Sequence, residues 1–249
     1  MKLQFIGTGG AFAPIERGQS NMLLTSGCEK HLLIDCGMTA PYKLTELGIS
    51  AADINAVYIS HLHADHIGGM EWLAFSTYFN PSTYKPTLFC ERVLMKDLWE
   101  RSLRGGMQCL QGIDADLSTY FDCQPVTKGR HGSFRWEGYT FRLVSTLHVV
   151  GGFHFNDSWG LMIHNNTRPD KKTFITTDTQ FTHPCPLQFF YETHEGFKSG
   201  VHAHYDDMNQ FLDEETKAKM VLYHHGEERD TVEEDGFKGF AKTFDTFEI

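Results

Sequence analysis

The sequence predicts an α/β sandwich with helices on the outer faces of its sheets, and three observations predict it. Short β-type runs recur along the whole chain, helical patterns arrive singly between them, and 249 residues that are 41% hydrophobic and 13% aromatic supply material for a large core. The early part is rich in closely spaced strands, which suits this arrangement better than a doubly wound sheet. No internal repeat, low-complexity tract or Pro/Ser linker divides the chain, so residues 1–249 read as one domain.

Each element has its own signal. Lys2–Ile6, Met22–Thr25 and His31–Asp35 are short strand-like runs. Pro41–Leu47 carries Leu44 and Leu47 three apart, a helical spacing that follows a proline suited to a first turn. Ala56–Ser60 is an apolar strand, and Gly69–Tyr78 a helix after it. Thr87–Cys90 precedes Arg92–Arg104, where Leu94/Leu98 and Met95/Trp99 pair at i,i+4. Tyr139–Ser145, Gly160–His164 and Thr173–Thr177 are further strands. Met208, Phe211 and Leu212 form the apolar stripe of a helix over Asp206–Met220, and Met220–Tyr223 is the last strand expected.

Charge narrows the function. With 22 Lys+Arg against 32 Asp+Glu the net charge is −10, which argues against a long nucleic acid, a partner held mainly by Lys and Arg on phosphates. No apolar run is long enough to span a membrane, and the chain opens on a strand and a glycine turn rather than a targeting segment. The six cysteines (Cys28, Cys36, Cys90, Cys109, Cys123, Cys185) are scattered without a C-x-x-C, as expected of reduced thiols in a cytoplasmic protein.

The 14 histidines are the unusual feature, and the sharpest cluster is Ser60-His61-Leu62-His63-Ala64-Asp65-His66. Residues two apart in an extended segment face one side, so His61 and His63 can bind one ion. Asp65 and His66, where the chain turns into a helix, point elsewhere and suit a second ion, about 3.5–4 Å from the first in two-metal hydrolytic sites. Further ligands must come from other strand ends. His148, Asp178 and His224 each stand beyond an apolar β run, and the two oxygens of Asp178 can serve both ions.

These residues resemble the metallo-β-lactamase superfamily along the whole chain. Phe5-Ile6-Gly7-Thr8-Gly9-Gly10-Ala11-Phe12 with Arg17, Ser20 and Asn21 is similar to the first strand and glycine loop of its RNase Z-like branch. Leu33-Ile34-Asp35-Cys36-Gly37 resembles the motif holding a buried aspartate, so that Asp35 braces the metal loop. His61, His63, Asp65 and His66 match H-x-H-x-D-H, while His148, Asp178 and His224 match the later ligands. The resemblance implies an αββα metallo-β-lactamase sandwich holding two divalent metal ions, Zn²⁺ foremost; His/Asp ligands also suit Mn²⁺, Fe²⁺ or Co²⁺. Glu192, in Phe190-Tyr191-Glu192-Thr193, is similar to a hydrophobic-Glu-Ala-Thr stretch of that branch, here without the Ala, and His202, 22 residues before His224, is similar to its histidine close to the leaving group. His204 competes with His202, and His225 with His224.

Within the branch, tRNA-processing members carry an arm between the ligands corresponding to His148 and Asp178; here only 29 residues lie between those positions. The segments Leu98–Gly106 and Val201–Tyr205 look more like the anti-Pycsar phosphodiesterases of phages and bacteria. That likeness implies hydrolysis of 3′,5′-cyclic mononucleotides (cyclic CMP and UMP, also cyclic AMP and GMP) to linear monophosphates by a homodimer, silencing a nucleotide-signalled antiviral defence in the cytoplasm. Asp65 would then hold the attacking water and His202, oriented by Glu192, would protonate the leaving oxygen. Phe12, Phe153 and Tyr205 are candidates for stacking on the base. The competing readings are an RNase Z-type RNA endonuclease or another small phosphodiester hydrolase, hydrolysis of a thioester or lactam, and a nucleotide sponge without turnover.

Overall fold

The structure is a computed structural model that describes residues 1–82, 84–127, 132–152, 154–180, 188–192, 201–226 and 228–249. Strands β1 (Lys2–Phe5), β2 (Met22–Thr25), β3 (His31–Ile34), β4 (Ile54–Ile59) and β5 (Thr87–Glu91) are followed by a small ribbon, β6 (Cys109–Leu110) with β7 (Ile113–Asp114), and by β8 (Asp122–Val126). Then come β9 (Ser133–Trp136), β10 (Tyr139–Gly151), β11 (His154–Asn165), β12 (Arg168–Ile175), β13 (Gln188–Glu192), β14 (Met220–Tyr223) and β15 (Thr246–Glu248). One sheet has the order β15-β1-β2-β3-β4-β5-β8 and the other β14-β13-β12-β11-β10-β9. In the first, β3, β4, β5 and β8 run parallel; in the second, β12, β13 and β14 do.

The helices are α1 (Ala40–Glu46), α2 (Ala64–Ile67), α3 (Met70–Tyr78), α4 (Arg92–Asp97), α5 (Arg104–Met107), α6 (Leu117–Tyr120), α7 (Tyr205–Phe211) and α8 (Glu214–Lys217). A π-helical turn, Leu98–Leu103, joins α4 to α5, so the helix expected over Arg92–Arg104 runs on to Met107. The helix expected over Asp206–Met220 is split. Leu212 is extended and Asp213 caps α8 by accepting from the Thr216 amide at 2.7 Å, a strong N-cap choice that outcompetes helix continuation.

The period-2 alternation of the strands sorts the apolar residues into layers. Met22, Leu24, Leu32, Ile34 and Tyr58 of the first sheet meet Phe141, Leu161, Ile175 and Tyr223 of the second in a core between the sheets. Leu23, Leu33, Val57 and Ile59 point the other way, against Leu44, Met70, Leu73, Leu98 and Trp99. On the far side, Phe174, Met220 and Leu222 pack under Tyr205, Met208, Leu212, Phe237 and Phe240. The layers are therefore helix, sheet, sheet, helix. Among the described residues no helix is long and apolar enough to cross a membrane.

Candidate metal centre

The parallel strands β3, β4, β12, β13 and β14 end on the same rim of the sandwich, and the carboxyl end of parallel strands is where such sheets place ligands. Three rim residues have left-handed backbone: Asp35 (φ 60°), Thr177 (φ 56°) and His224 (φ 61°). Non-glycine residues adopt this region at a cost of about 1–3 kcal/mol, which the surrounding contacts must offset. Here the Asp35 amide donates to the Tyr58 carbonyl at 2.8 Å and the His224 amide to the Thr8 carbonyl at 2.8 Å. Each reversal ends a strand abruptly and aims the adjoining side chain into the cleft between the sheets.

His61 follows β4, His63 caps α2, and Asp65 and His66 lie within α2. His148 does not follow its strand as expected. β10 runs six residues beyond Ser145, and His148 is the extra residue of a bulge between Leu147 and Val149, a device that re-aims a side chain without ending the strand. Asp178 stands three residues past β12 and His224 directly past β14.

The structure brings all seven expected ligands together in two groups, His61/His63/His148/Asp178 and Asp65/His66/Asp178/His224, whose ligand atoms lie within 4.8 Å of one another inside each group. In the first, His63 Nδ1 is 3.1 Å from His61 Nε2 and 3.0 Å from His148 Nε2, while Asp178 Oδ2 is 3.7 Å and 3.6 Å from those two Nε2 atoms. Tetrahedral bonds of about 2.0–2.1 Å would set ligand atoms roughly 3.3 Å apart, so this spacing suits a small dication. In the second, His66 Nε2 is 3.3 Å from both Asp65 Oδ2 and Asp178 Oδ1, and His224 Nδ1 is 3.5 Å from Asp178 Oδ1. Among the described residues, His66 Nε2, Asp178 Oδ1 and His224 Nδ1 are buried with no hydrogen-bond partner. Buried polar atoms rarely go unsatisfied, and a cation between them accounts for all three.

Electrostatics leave three of the histidines as neutral donors, and tie His66 and Asp178 to each other by charge. Burial pushes the His61 imidazole well below its ordinary value, and those of His148 and His224 down to about 4, leaving neutral rings with lone pairs to donate. Burial alone would lower His66 and raise Asp178. Instead the carboxylates of Asp178, Asp65 and Asp35 hold His66 raised, and the imidazoles of His224, His66 and His61 hold Asp178 well below the usual carboxylate range.

The bracing is equally specific. His66 Nδ1 lies 2.8 Å from Asp35 Oδ2, and His148 Nδ1 donates to the Val201 carbonyl at 2.9 Å. Asn21 donates to the Asp65 carbonyl and accepts from the Gly37 amide. A Cβ at Gly37 would collide with the Asp65 carbonyl, so only glycine lets the two loops touch. Arg17 donates to the carbonyls of His225 and Gly226, tying down the segment after His224.

The members of each competing pair of histidines occupy different places. His202 Nδ1 is 4.0 Å from Asp178 Oδ2, and its ring lies 5.2 Å from that of His148 and 5.1 Å from that of His224, at the lip of the cleft. His204 instead caps α7, accepting from the Asp206 amide at 3.3 Å. His225 packs on Phe240 outside both groups. Glu192 closes β13 in register with Tyr223, and its side chain lies outside the described residues, as do Phe153 and Cys185. Tyr205 is fully buried at the start of α7 with its hydroxyl on Asp235, so it is a core residue and cannot stack on a ligand. Phe12 is fully exposed on the glycine loop.

Four layers with a His/Asp cleft on one rim make this a metallo-β-lactamase-fold protein with a candidate site for two divalent ions. A solved metallo-β-lactamase fold protein, YhfI from Bacillus subtilis, superposes with a TM-score of 0.72 at 19% identity, covering 99% of this chain and 98% of that one. The chain belongs to the anti-Pycsar protein Apyc1 family, whose model matches residues 1–247. The anti-Pycsar protein Apyc1 of Paenibacillus harenae is 33% identical over 244 residues, 94% of this chain and 92% of that protein. The protein of the same description from Bacillus phage 010DV004 is 30% identical over 237 residues, covering 91% and 90%.

Proposed function

We propose that this protein is a metal-dependent phosphodiesterase that hydrolyses 3′,5′-cyclic mononucleotides to linear nucleoside monophosphates, and so counters cyclic-nucleotide antiviral signalling. The observation that carries the reading is Asp178 shared between two His/Asp groups in a chain of the anti-Pycsar family. The relatives' description names the defence they oppose; the cyclic nucleotide as substrate, its bases and a homodimeric, cytoplasmic protein are proposals.

Divalent ions bound to the two groups would supply charge for the phosphoryl oxygens and acidify a water. This local positive charge lets a protein of net charge −10 accept an anionic substrate. The chain's own residues do the rest. Asp65 Oδ2, held 3.3 Å from His66 Nε2, accepts a proton of the attacking water and keeps the water in line with phosphorus. As the water oxygen bonds to phosphorus, the bond from phosphorus to one ribose oxygen breaks, and His202 at the lip of the cleft delivers the proton that oxygen needs. The ring lies beside both groups, where a leaving oxygen would emerge.

The test is turnover of 3′,5′-cyclic CMP, UMP, AMP and GMP by purified protein with added Zn²⁺ or Mn²⁺, with Asp178→Ala as control. Conversion to a linear monophosphate that is absent in the control supports the reading and ranks the bases. No turnover by protein carrying two ions overturns it and directs attention to RNA and to non-phosphate esters.

A further inference from the structure

The hydroxyl of Ser60 stands between two side chains, Asp35 and His61, and all three residues are essentially buried. Ser60 Oγ is 2.6 Å from Asp35 Oδ2 and 3.0 Å from His61 Nδ1, and the Ser60 amide donates to Asp35 Oδ1 at 2.8 Å. A serine hydroxyl has one hydrogen and two lone pairs, whereas an ionised carboxylate only accepts. The hydrogen therefore goes to Asp35, and a lone pair of Oγ faces His61. That contact is a hydrogen bond only if His61 Nδ1 carries the proton, which leaves Nε2 bare and directed at the first ligand group. The same carboxylate oxygen accepts from His66 Nδ1, so that His66 presents its Nε2 side to the second group.

We infer that Ser60 is a positioning residue that fixes the tautomer of His61, and that through it the single carboxylate of Asp35 sets one histidine in each ligand group. The inference rests on the two groups being metal sites and not on the identity of the substrate. His148 is held independently, by the Val201 carbonyl. The other hydroxyl near His61 Nδ1 is Ser158 Oγ at 3.4 Å, which is turned to Thr177 Oγ1 at 2.8 Å and gives weaker support. Loss of the Ser60 hydroxyl should therefore act on the first group alone, whereas loss of the Asp35 charge should act on both.

Two measurements test this. Nitrogen-15 histidine spectra of metal-free protein at neutral pH should show His61 protonated on Nδ1 in the unaltered chain and in Ser60→Thr, with a mixed population in Ser60→Ala. Zn²⁺ titration against a chromophoric chelator should show Ser60→Ala weakening one of two ions by about 10–100-fold, the usual effect of removing a ligand's hydrogen-bond partner, with the other unchanged. Asp35→Asn should weaken both, and Ser60→Thr neither. Finding His61 protonated on Nε2 in the unaltered chain, or equal loss of both ions in Ser60→Ala, overturns the inference. If Ser60→Ala does not fold, the spectra of the unaltered chain and Ser60→Thr still decide. A chain that binds no Zn²⁺ at all would sink the metal reading, and the tautomer of His61 would remain a separate result.

Discussion

Asp178 Oδ1 lies 3.3 Å from His66 Nε2 while Oδ2 of the same carboxylate faces His61, so one side chain belongs to both ligand groups. Asp178→Ala should therefore abolish turnover rather than reduce it. Charge stabilisation by bound metal is worth several kcal/mol, so the expected fall in kcat is about a thousandfold or more. Metal analysis beside the rate assay checks the cause: the variant should retain at most one ion per chain, and two retained ions with normal rate would refute the shared role.

His202 and His204 give opposite expectations. His202→Ala should lower kcat by about 10²–10⁴-fold, the range of general acid catalysis, with two ions still bound. The deficit should shrink on an ester with a nitrophenolate leaving group, which departs without a proton. His204→Ala removes only the cap of α7 and should cost about 1 kcal/mol of stability with turnover intact. Denaturant unfolding and kinetics on the two variants check both halves. Loss of metal in His202→Ala would place that ring among the ligands.

The two candidate ligand groups were legible because most of their members stand at a discontinuity the sequence displays: an apolar strand that stops and a His or Asp that follows. That logic found Asp178 and His224. It misjudged the route to His148, since a bulge leaves no residue-type signal and the strand simply continues. The split between α7 and α8 was missed because Met208, Phe211 and Leu212 make a helical stripe whatever Asp213 does next. Ser60 and Ser158 were unreadable as partners of His61, because Ser60 acquires its role from Asp35 at the end of the neighbouring strand and Ser158 reaches His61 from β11 of the other sheet. Tyr205 shows the converse: an aromatic beside site histidines in sequence is packed on the opposite side of its sheet.

Removing metal should destabilise the whole protein, because buried ligands from both sheets would be left with atoms they cannot satisfy. A ligand present at a thousand times its Kd stabilises by about 4 kcal/mol. Each kcal/mol moves the melting temperature of a chain this size by roughly 2–4 °C, so chelation should lower Tm by about 10 °C. Calorimetry before and after dialysis against a chelator checks this, and restoring Zn²⁺ should restore Tm. An unchanged Tm would mean that the two groups do not hold ions.

Among the described residues Phe12 is the stacking candidate that remains, and its placement is specific. Gly10 packs so closely on His224 that a Cβ there would sit 3.4 Å from the imidazole Nε2. Two residues on, the Phe12 ring is entirely in solvent, on a loop fastened on either side by Gln19 donating to the Ala11 carbonyl and by the Ala13 amide donating to Gly10. A pinned loop holding an apolar ring beside the cleft suits stacking on a base. Stacking is worth about 1–3 kcal/mol per base, so Phe12→Ala should raise KM for cyclic nucleotides by about tenfold or more, with kcat little changed. Phe12→Trp should restore KM, and a substrate lacking a base should not distinguish the variants. A fall in kcat, or a change of oligomeric state on sedimentation, would instead assign the ring to the catalytic geometry or to a contact between copies of the chain.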